Sequence, residues 1–176
     1  MDSMDSTNSI DAKWHVLWTR SQCEQAVFDQ LAPKGFELFL PTIDIWARRN
    51  GTRYRSTVPM FPGYLFLHSS MDHNAYNEVC NARGLVKLLG ESWDRLAVVP
   101  DGEIEAIQRV GRVPVSASPH PYLGKGQRVR ITAGLLAGTE GILVRTPSNK
   151  GLLVLSIHLL QRSVAVEVDC TLVEPA

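Results

Sequence analysis

Residues able to do covalent or metal chemistry are few in this chain and poorly placed for it. Cys23, Cys80 and Cys170 lie far apart with no C-x-x-C pair. They read as reduced thiols, with Cys23 and Cys80 as core filler, not as a zinc site or a disulfide framework. His15, His68, His73, His120 and His158 show no ligand spacing, and no G-x-S-x-G, H-E-x-x-H, P-loop or dinucleotide fingerprint occurs. Cys23 and His15 could be set as a nucleophile and its base, but nothing supplies a third orienting group. The sequence therefore predicts no catalytic residue, no metal and no cofactor. What it does offer is recognition chemistry. "MFPGY" (60–64) sets Phe61 and Tyr64 around a rigid Pro-Gly pair, and aromatics bury large rigid areas at interfaces. Beside it, Arg48, Arg49, Arg53 and Arg55 surround Asn50-Gly51. Arginines sharing one face of a β-ribbon repel each other unless they meet solvent or an anion. A solubilising edge hairpin and an anion-binding surface are both open readings.

The elements that must position these residues follow from pattern. "WHVLWT" (14–19) alternates as a strand. "SQCE" next reads as a capping box, Ser21 with Glu24, opening a helix striped by Cys23, Val27 and Leu31 and closed by Pro33 and Gly35. "FELFLP" is a strand. "IDIWARR" and "TRYRSTV" flank Asn50-Gly51, a strong type I′ hairpin signal. "YLFLH" (64–68) is a buried strand, Asp72 caps a short helix, "LVKLL" is a strand, and Asp101 caps a helix with Ile104, Ile107 and Val110. Strands and helices alternating over the first 110 residues predict an α+β sandwich, one mostly antiparallel sheet with helices on it.

"GRVPVSASPHPY" (111–122), with three prolines and no apolar period, reads as a linker. Beyond it "GQRVRI", "TEGILVR", "GLLVLSI" and "SVAVEVD" are short strands punctuated by glycines, which predicts a small β-barrel. "MDSMDSTNSID" has no apolar core, so the start reads as a loose tail and not a signal peptide. No apolar run reaches membrane-spanning length. Formal net charge is zero, with residues 1–110 at −3 and 111–176 at +3. A chain holding DNA mainly by counterion release would be far more basic, so any nucleic-acid contact should be local.

"VRITAGLLAGTEGIL" (129–143) resembles a KOW motif, with Val129 and Ile131 alternating before Gly134 and with Gly141 before the next strand. In order, "WHVLWT", a helix, "FLP", a basic hairpin, "FPGYLFL", "ARGLVKLL", a linker and this barrel resemble the NusG family of transcription elongation factors. "RGLVKLLG…AVVP" and "LVLSIHLLQRSVAVEVD" look closer to specialised paralogues of the RfaH and UpxY kind.

The resemblance implies a disordered tail at 1–12, an NGN domain at 13–110, a linker at 111–122 and an SH3-like KOW domain at 123–176. It implies a monomeric cytoplasmic antitermination and elongation factor with no membrane partner. Trp14, Phe61 and Tyr64 match the pocket that receives the β′ clamp helices of RNA polymerase, and Trp18 lies close enough to be a candidate for it. Asp72 and His73 fall where the β gate loop is met, and Arg20 and Arg83 where the non-template strand is touched. The arginine hairpin would then face upstream DNA or RNA. In the KOW domain Arg162 matches a family arginine on the surface for ribosomal protein NusE, and Leu136 is a further candidate there; Leu159 and Leu160, expected to be exposed, suit a hydrophobic groove of NusE or the NGN domain itself. Leu135 in place of the family's turn proline, and the longer apolar "HLLQ" loop, depart from housekeeping members that also bind Rho. Housekeeping NusG acting with Rho, and an RNA- or ribosome-binding KOW protein, are the alternatives. RfaH covers its polymerase pocket with a helical form of its KOW domain; the Val- and Ile-rich "GLLVLSIHLLQRSVAVEV" favours strand here.

Overall fold

The computed structural model describes residues 12–176, so the expected tail lies, Ala12 aside, outside the described residues. In chain order the elements are β1 (Lys13–Thr19), α1 (Glu24–Leu31), β2 (Glu37–Phe39), β3 (Thr42–Arg49), β4 (Thr52–Pro59), β5 (Tyr64–Ser69) and α2 (His73–Cys80). Then come β6 (Leu85–Leu88), β7 (Gly90–Ser92), β8 (Arg95–Leu96), α3 (Asp101–Gly111), β9 (Ala117–His120) and β10 (Gln127–Ile131). The last four strands are β11 (Glu140–Arg145), β12 (Lys150–Ile157), β13 (Arg162–Asp169) and β14 (Val173–Pro175). All pairings among these strands are antiparallel, as the expected α+β class requires. Among the described residues no helix is long and apolar enough to cross a membrane.

The described chain forms two compact units. One runs to Leu40 and resumes over Phe61–Asp101; the other consists of Pro41–Met60 and Gly102–Ala176. The first is built on a four-stranded sheet in the order β2-β5-β1-β6. Strand side chains alternate between faces, so Leu17, Leu65 and Leu67 share one face. There they join Val27 and Leu31 of α1 and Val79 of α2 in a single apolar cluster. The Asp72 carboxylate caps α2 by accepting from the Ala75 amide at 2.7 Å, as the sequence predicts. Cys80 does not fill the core. The buried face of α2 is set by Val79 with Ala75 and Tyr76, and one residue further round the helix leaves Cys80 exposed, while Cys23 is half-buried.

In the second unit β3 and β4 pair from Thr42↔Pro59 to Arg49↔Thr52. Their turn has Asn50 at φ 50° and Gly51 at φ 79°, the positive pair that a type I′ hairpin demands. The C-terminal strands form a six-stranded sheet, β14-β10-β11-β12-β13-β9, around Ile142, Val154 and Ala165. β9 lies within the segment read as linker. Its residues pair with β13 from Ala117↔Val166 to His120↔Ser163, so Pro119 sits within an edge strand, where a missing N–H is tolerated, and Pro114 and Pro121 lie on either side of it. Glu103 of α3 ties to the same unit by accepting the His158 amide at 2.9 Å.

Candidate functional site

The face of the first sheet opposite Leu17 is aromatic. Register places Trp14 beside His68, Val16 beside Phe66 and Trp18 beside Tyr64 across β1 and β5, and Phe39 of β2 beside Phe66. Trp14 stacks on His68 at 4.8 Å and meets Phe39 edge-on at 6.2 Å. Phe61, just before β5, packs edge-to-face on Phe66 at 6.0 Å. These spacings are those at which aromatic pairs attract beyond their area burial. The four aromatics expected to act together are therefore gathered on or against one face, but they divide by depth. Trp14 and Phe61 are buried, Tyr64 is half-buried, and Trp18 is 40% exposed. Trp14 and Phe61 form the floor, while Trp18 and Tyr64 present surface. Phe39 and Phe66, which complete this face, were legible only as the alternate positions of their strands.

The Pro62-Gly63 turn is held at three points. The Tyr64 amide donates to the Phe61 carbonyl at 3.0 Å and the Thr19 amide to the Gly63 carbonyl at 2.8 Å. The Gly63 amide donates to Glu24 Oε1 at 2.6 Å. With Gly63 at φ 89° this is a type II turn, whose third position admits glycine and few others. The expected capping box does not form. Cys23 is the N-cap of α1 with no side-chain bond, because the buried Glu24 carboxylate is committed to Gly63 across the fold. A charged acceptor makes a stronger bond than a neutral one, so α1 and the aromatic turn are one rigid piece.

Arg20 and Arg83 are both exposed and are brought together: the Arg20 amide donates to the Gly84 carbonyl at 2.7 Å. The Gln30 carboxamide grips the backbone of Arg83 from both sides. Its Nε2 donates to the Arg83 carbonyl and its Oε1 accepts the Arg83 amide, each at 2.9 Å. Gly84 fits only as glycine, since a Cβ there would lie 2.8 Å from Cys23 Cβ at φ 93°. The guanidinium of Arg83 thus projects from a fixed backbone. Gln30 gave no signal in the sequence, because its partners are distant in the chain.

Asp72 and His73 are exposed at the start of α2. The Asp72 carboxylate is occupied by its cap, and the His73 ring meets Trp93 edge-on at 5.0 Å. Trp93, 42% exposed, belongs to the tight β7–β8 hairpin, which sequence pattern did not reveal.

In the second unit, register puts Trp46, Arg48, Arg53 and Arg55 on one face of the β3–β4 ribbon, with Arg48 opposite Arg53 and Trp46 opposite Arg55. Arg49 alternates to the other face. In the C-terminal sheet, Leu160 is not exposed as expected. The 3-10 turn His158–Leu160 folds Leu160 inward and leaves Leu159 and Arg162 outside. Leu136 is buried too; it lines a groove of about 170 Å³ with the exposed Leu135 and with Ile131, Val168 and Leu172. Leu159, Leu160 and Arg162 lie on the β12–β13 connection and do not line that groove. Among the described residues no group of three or more His, Cys, Asp or Glu could hold a metal ion.

The family model described as "Transcription termination factor nusG" matches residues 12–108. The transcription termination/antitermination protein NusG of Escherichia coli K12 is 28% identical over 141 residues, covering 80% of this chain and 78% of that protein. The protein of that name from Pseudomonas aeruginosa is 26% identical over 161 residues, covering 91% and 90%. Among solved structures, one described as "Domain interaction in Thermotoga maritima NusG" superposes with a TM-score of 0.56 at 19% identity, covering 95% of this chain and 98% of that one. That likeness bears on fold alone, whereas the family match spans more than half of the chain. By that match, the chain belongs to the NusG family of transcription termination and antitermination factors.

Proposed function

We propose that this chain is a specialised, RfaH- or UpxY-like NusG factor that promotes elongation and antitermination in the bacterial cytoplasm. Residues 13–110 act as the NGN domain and 123–176 as the KOW domain, joined through 111–122. The NGN domain rides on RNA polymerase, with Trp18 and Tyr64 as contact groups above Trp14 and Phe61 for the β′ clamp helices. His73, with Asp72 as its helix cap, meets the β gate loop. Arg20 and Arg83 touch the displaced non-template strand. The KOW domain couples to the ribosome through NusE, using the apolar groove lined by Leu135 and Leu136 together with the exposed Leu159 and Arg162. The factor acts as a monomer, without catalytic chemistry of its own.

The observation that carries this reading is the Trp18–Tyr64 pair, the accessible edge of an otherwise buried aromatic face, fixed by a turn that three hydrogen bonds hold. Aromatic residues over a rigid base have the composition of an interface hot spot. The decisive experiment is capture of core RNA polymerase by the wild type and by a Trp18→Ala, Tyr64→Ala double variant. Binding should fall at least about tenfold, the scale of losing two hot-spot side chains, with the fold checked by circular dichroism. Undiminished capture overturns the pocket assignment.

The housekeeping reading, NusG acting with Rho, draws on the printed name of the relatives, which includes termination. Against it stand Leu135, 64% exposed where the resemblance expects proline, and the apolar His158–Gln161 turn. Stimulation of Rho-dependent termination by this chain would favour the housekeeping role.

A further inference from the structure

The second unit holds a cleft that the aromatic site does not use. It lies between α3, the start of β11 and the end of β12, with a volume of about 340 Å³. That is the size of a small-ligand cleft and several times that of a single water, which takes about 30 Å³. Two polar atoms in its wall are buried without a partner, Oε2 of Glu103 and Oγ1 of Thr139. The other Glu103 oxygen is engaged by His158, through the backbone amide at 2.9 Å and the ring Nε2 at 3.8 Å. Thr139 is 1% exposed, and its amide and carbonyl both serve the turn, bonded to Leu136 and Ile131. Unbonded buried polar atoms are costly, a carboxylate oxygen most of all, so both call for a partner from the cleft. The outer torsion of a Glu side chain is broad, and a carboxylate held at one oxygen turns the other towards the cleft at little cost. Arg109 supplies the opposite charge. It lines the same cleft and forms no ion pair with any described residue, Glu105 one turn before it included. Its Nη1 packs on Gly138, 2.7 Å from where a Cβ would stand. Glu140, also in the wall, is already held by Arg130, whose Nε donates to it at 2.9 Å, and lies 3.8 Å from Arg128.

We propose that this cleft binds a short zwitterion of dipeptide length, its ammonium received by Glu103 and the Thr139 hydroxyl and its carboxylate by Arg109. An ammonium carries three donors, enough for both oxygens, and a guanidinium takes a carboxylate in two parallel bonds. The helix sets the length. Glu103 and Arg109 are six residues apart, about 9 Å along the axis at about 1.5 Å per residue. An α-amino acid has both charges on one carbon and reaches one end only. Two residues of extended chain span about 7 Å, and a hydrogen bond of about 2.9 Å completes the distance. A simple anion would leave Glu103 unmet, and a simple amine would leave Arg109 unmet.

The test titrates the full-length chain with the dipeptide alanylalanine and follows the chemical shifts of its backbone amides. Saturable shifts should appear at Glu103, Arg109 and Thr139. Acetylating the amino end of the peptide, or amidating its carboxyl end, should each weaken binding about tenfold or more, the scale of one hydrogen bond to a charged group. Two variants should each erase one of these preferences. Glu103→Gln keeps an acceptor for the His158 amide and should bind free and acetylated peptide alike. Arg109→Gln should bind free and amidated peptide alike. A merely structural role for either residue would not move these ratios. Absence of saturable shifts, the result for a cleft that holds water only, overturns the proposal. So do equal binding of free and blocked peptide by the wild type, and tighter binding of alanine, butylamine or butyrate than of the dipeptide. The blocked peptides need no variant, so they decide the matter even where a substitution disturbs the fold. The cleft shares no residue with the Trp18–Tyr64 surface, and peptide binding and polymerase capture stand or fail separately.

Discussion

His15 sits buried in β1 with its Nε2 3.1 Å from the Ser69 carbonyl. Burial pushes its imidazole below the ordinary value of 6.5, outweighing the carbonyls of Ser69 and Ala97, while Lys13 and His68 lower it further. The folded chain therefore takes up this proton at lower pH than the unfolded chain does. Below about pH 6.5 the unfolded state binds more protons, and stability falls as the pH is lowered towards the folded value. Above that range both states are neutral at this position and the contribution vanishes. Replacing His15 by Gln should flatten the fall in unfolding free energy between about pH 7 and about pH 5, before most carboxylates titrate. The measurement is a series of urea titrations across that window; an unchanged slope in the variant would show that His15 has no part in it. Arg83 makes a different point at the same scale. Its placement depends on Gln30, which touches its backbone and not its charge. Single residues here act through what holds them.

At the scale of elements, the turn Phe61–Tyr64 joins β1, β5 and α1 through the Gly63 amide and carbonyl. Two substitutions should loosen it by different routes. Gly63→Ala meets no steric obstacle, since the nearest atom to an added Cβ is 3.9 Å away. Its cost is the backbone strain of φ 89° alone, about 1–2 kcal/mol. Glu24→Ala leaves the Gly63 amide without its acceptor, which costs about 1–3 kcal/mol. Both should lower stability in denaturant titrations and reduce polymerase capture, by freeing the angle at which Tyr64 stands. Loss of stability with full capture would separate the turn from the site. Elements whose causes are local were legible in the sequence. Asn50-Gly51 dictates its hairpin through two positive φ values, and Asp72 caps α2 within three residues. The capping box failed because Glu24 answers to Gly63, 39 residues on, and no pattern near Ser21 carries that information. The aromatic face was half legible: alternation put Trp14 and Trp18 together, but only register reveals which of them is covered. Leu160 was misread because a 3-10 turn reverses the facing that a plain loop would give.

At the scale of the whole molecule the open alternative was a C-terminal region that exchanges strand for helix. The burial pattern of β12 and β13 bears on it directly. Leu153, Val154 and Leu155 are consecutive and all buried, as are Ser163, Val164, Ala165 and Val166. Unbroken buried runs suit a sheet covered on both faces; a surface helix would cover only one stripe of them. Eight cross-strand pairs, from Lys150↔Asp169 to Ile157↔Arg162, lock the register. A helical form would have to give up all of them. β9 adds a condition on any experiment with an isolated piece, because it pairs along β13. A fragment beginning at Leu123 would strip that strand and leave β13 as an open edge, prone to pairing with other copies. A fragment beginning at Arg112 keeps it. Backbone chemical shifts of Lys150–Ile157 and Arg162–Asp169 should then report strand in both the full chain and the 112–176 fragment. The main change should fall at His158, which loses its bond to Glu103. The 123–176 fragment should instead broaden or aggregate as its concentration rises. Helical shifts at 150–169 in the full chain would overturn this assignment and place the region among those that refold.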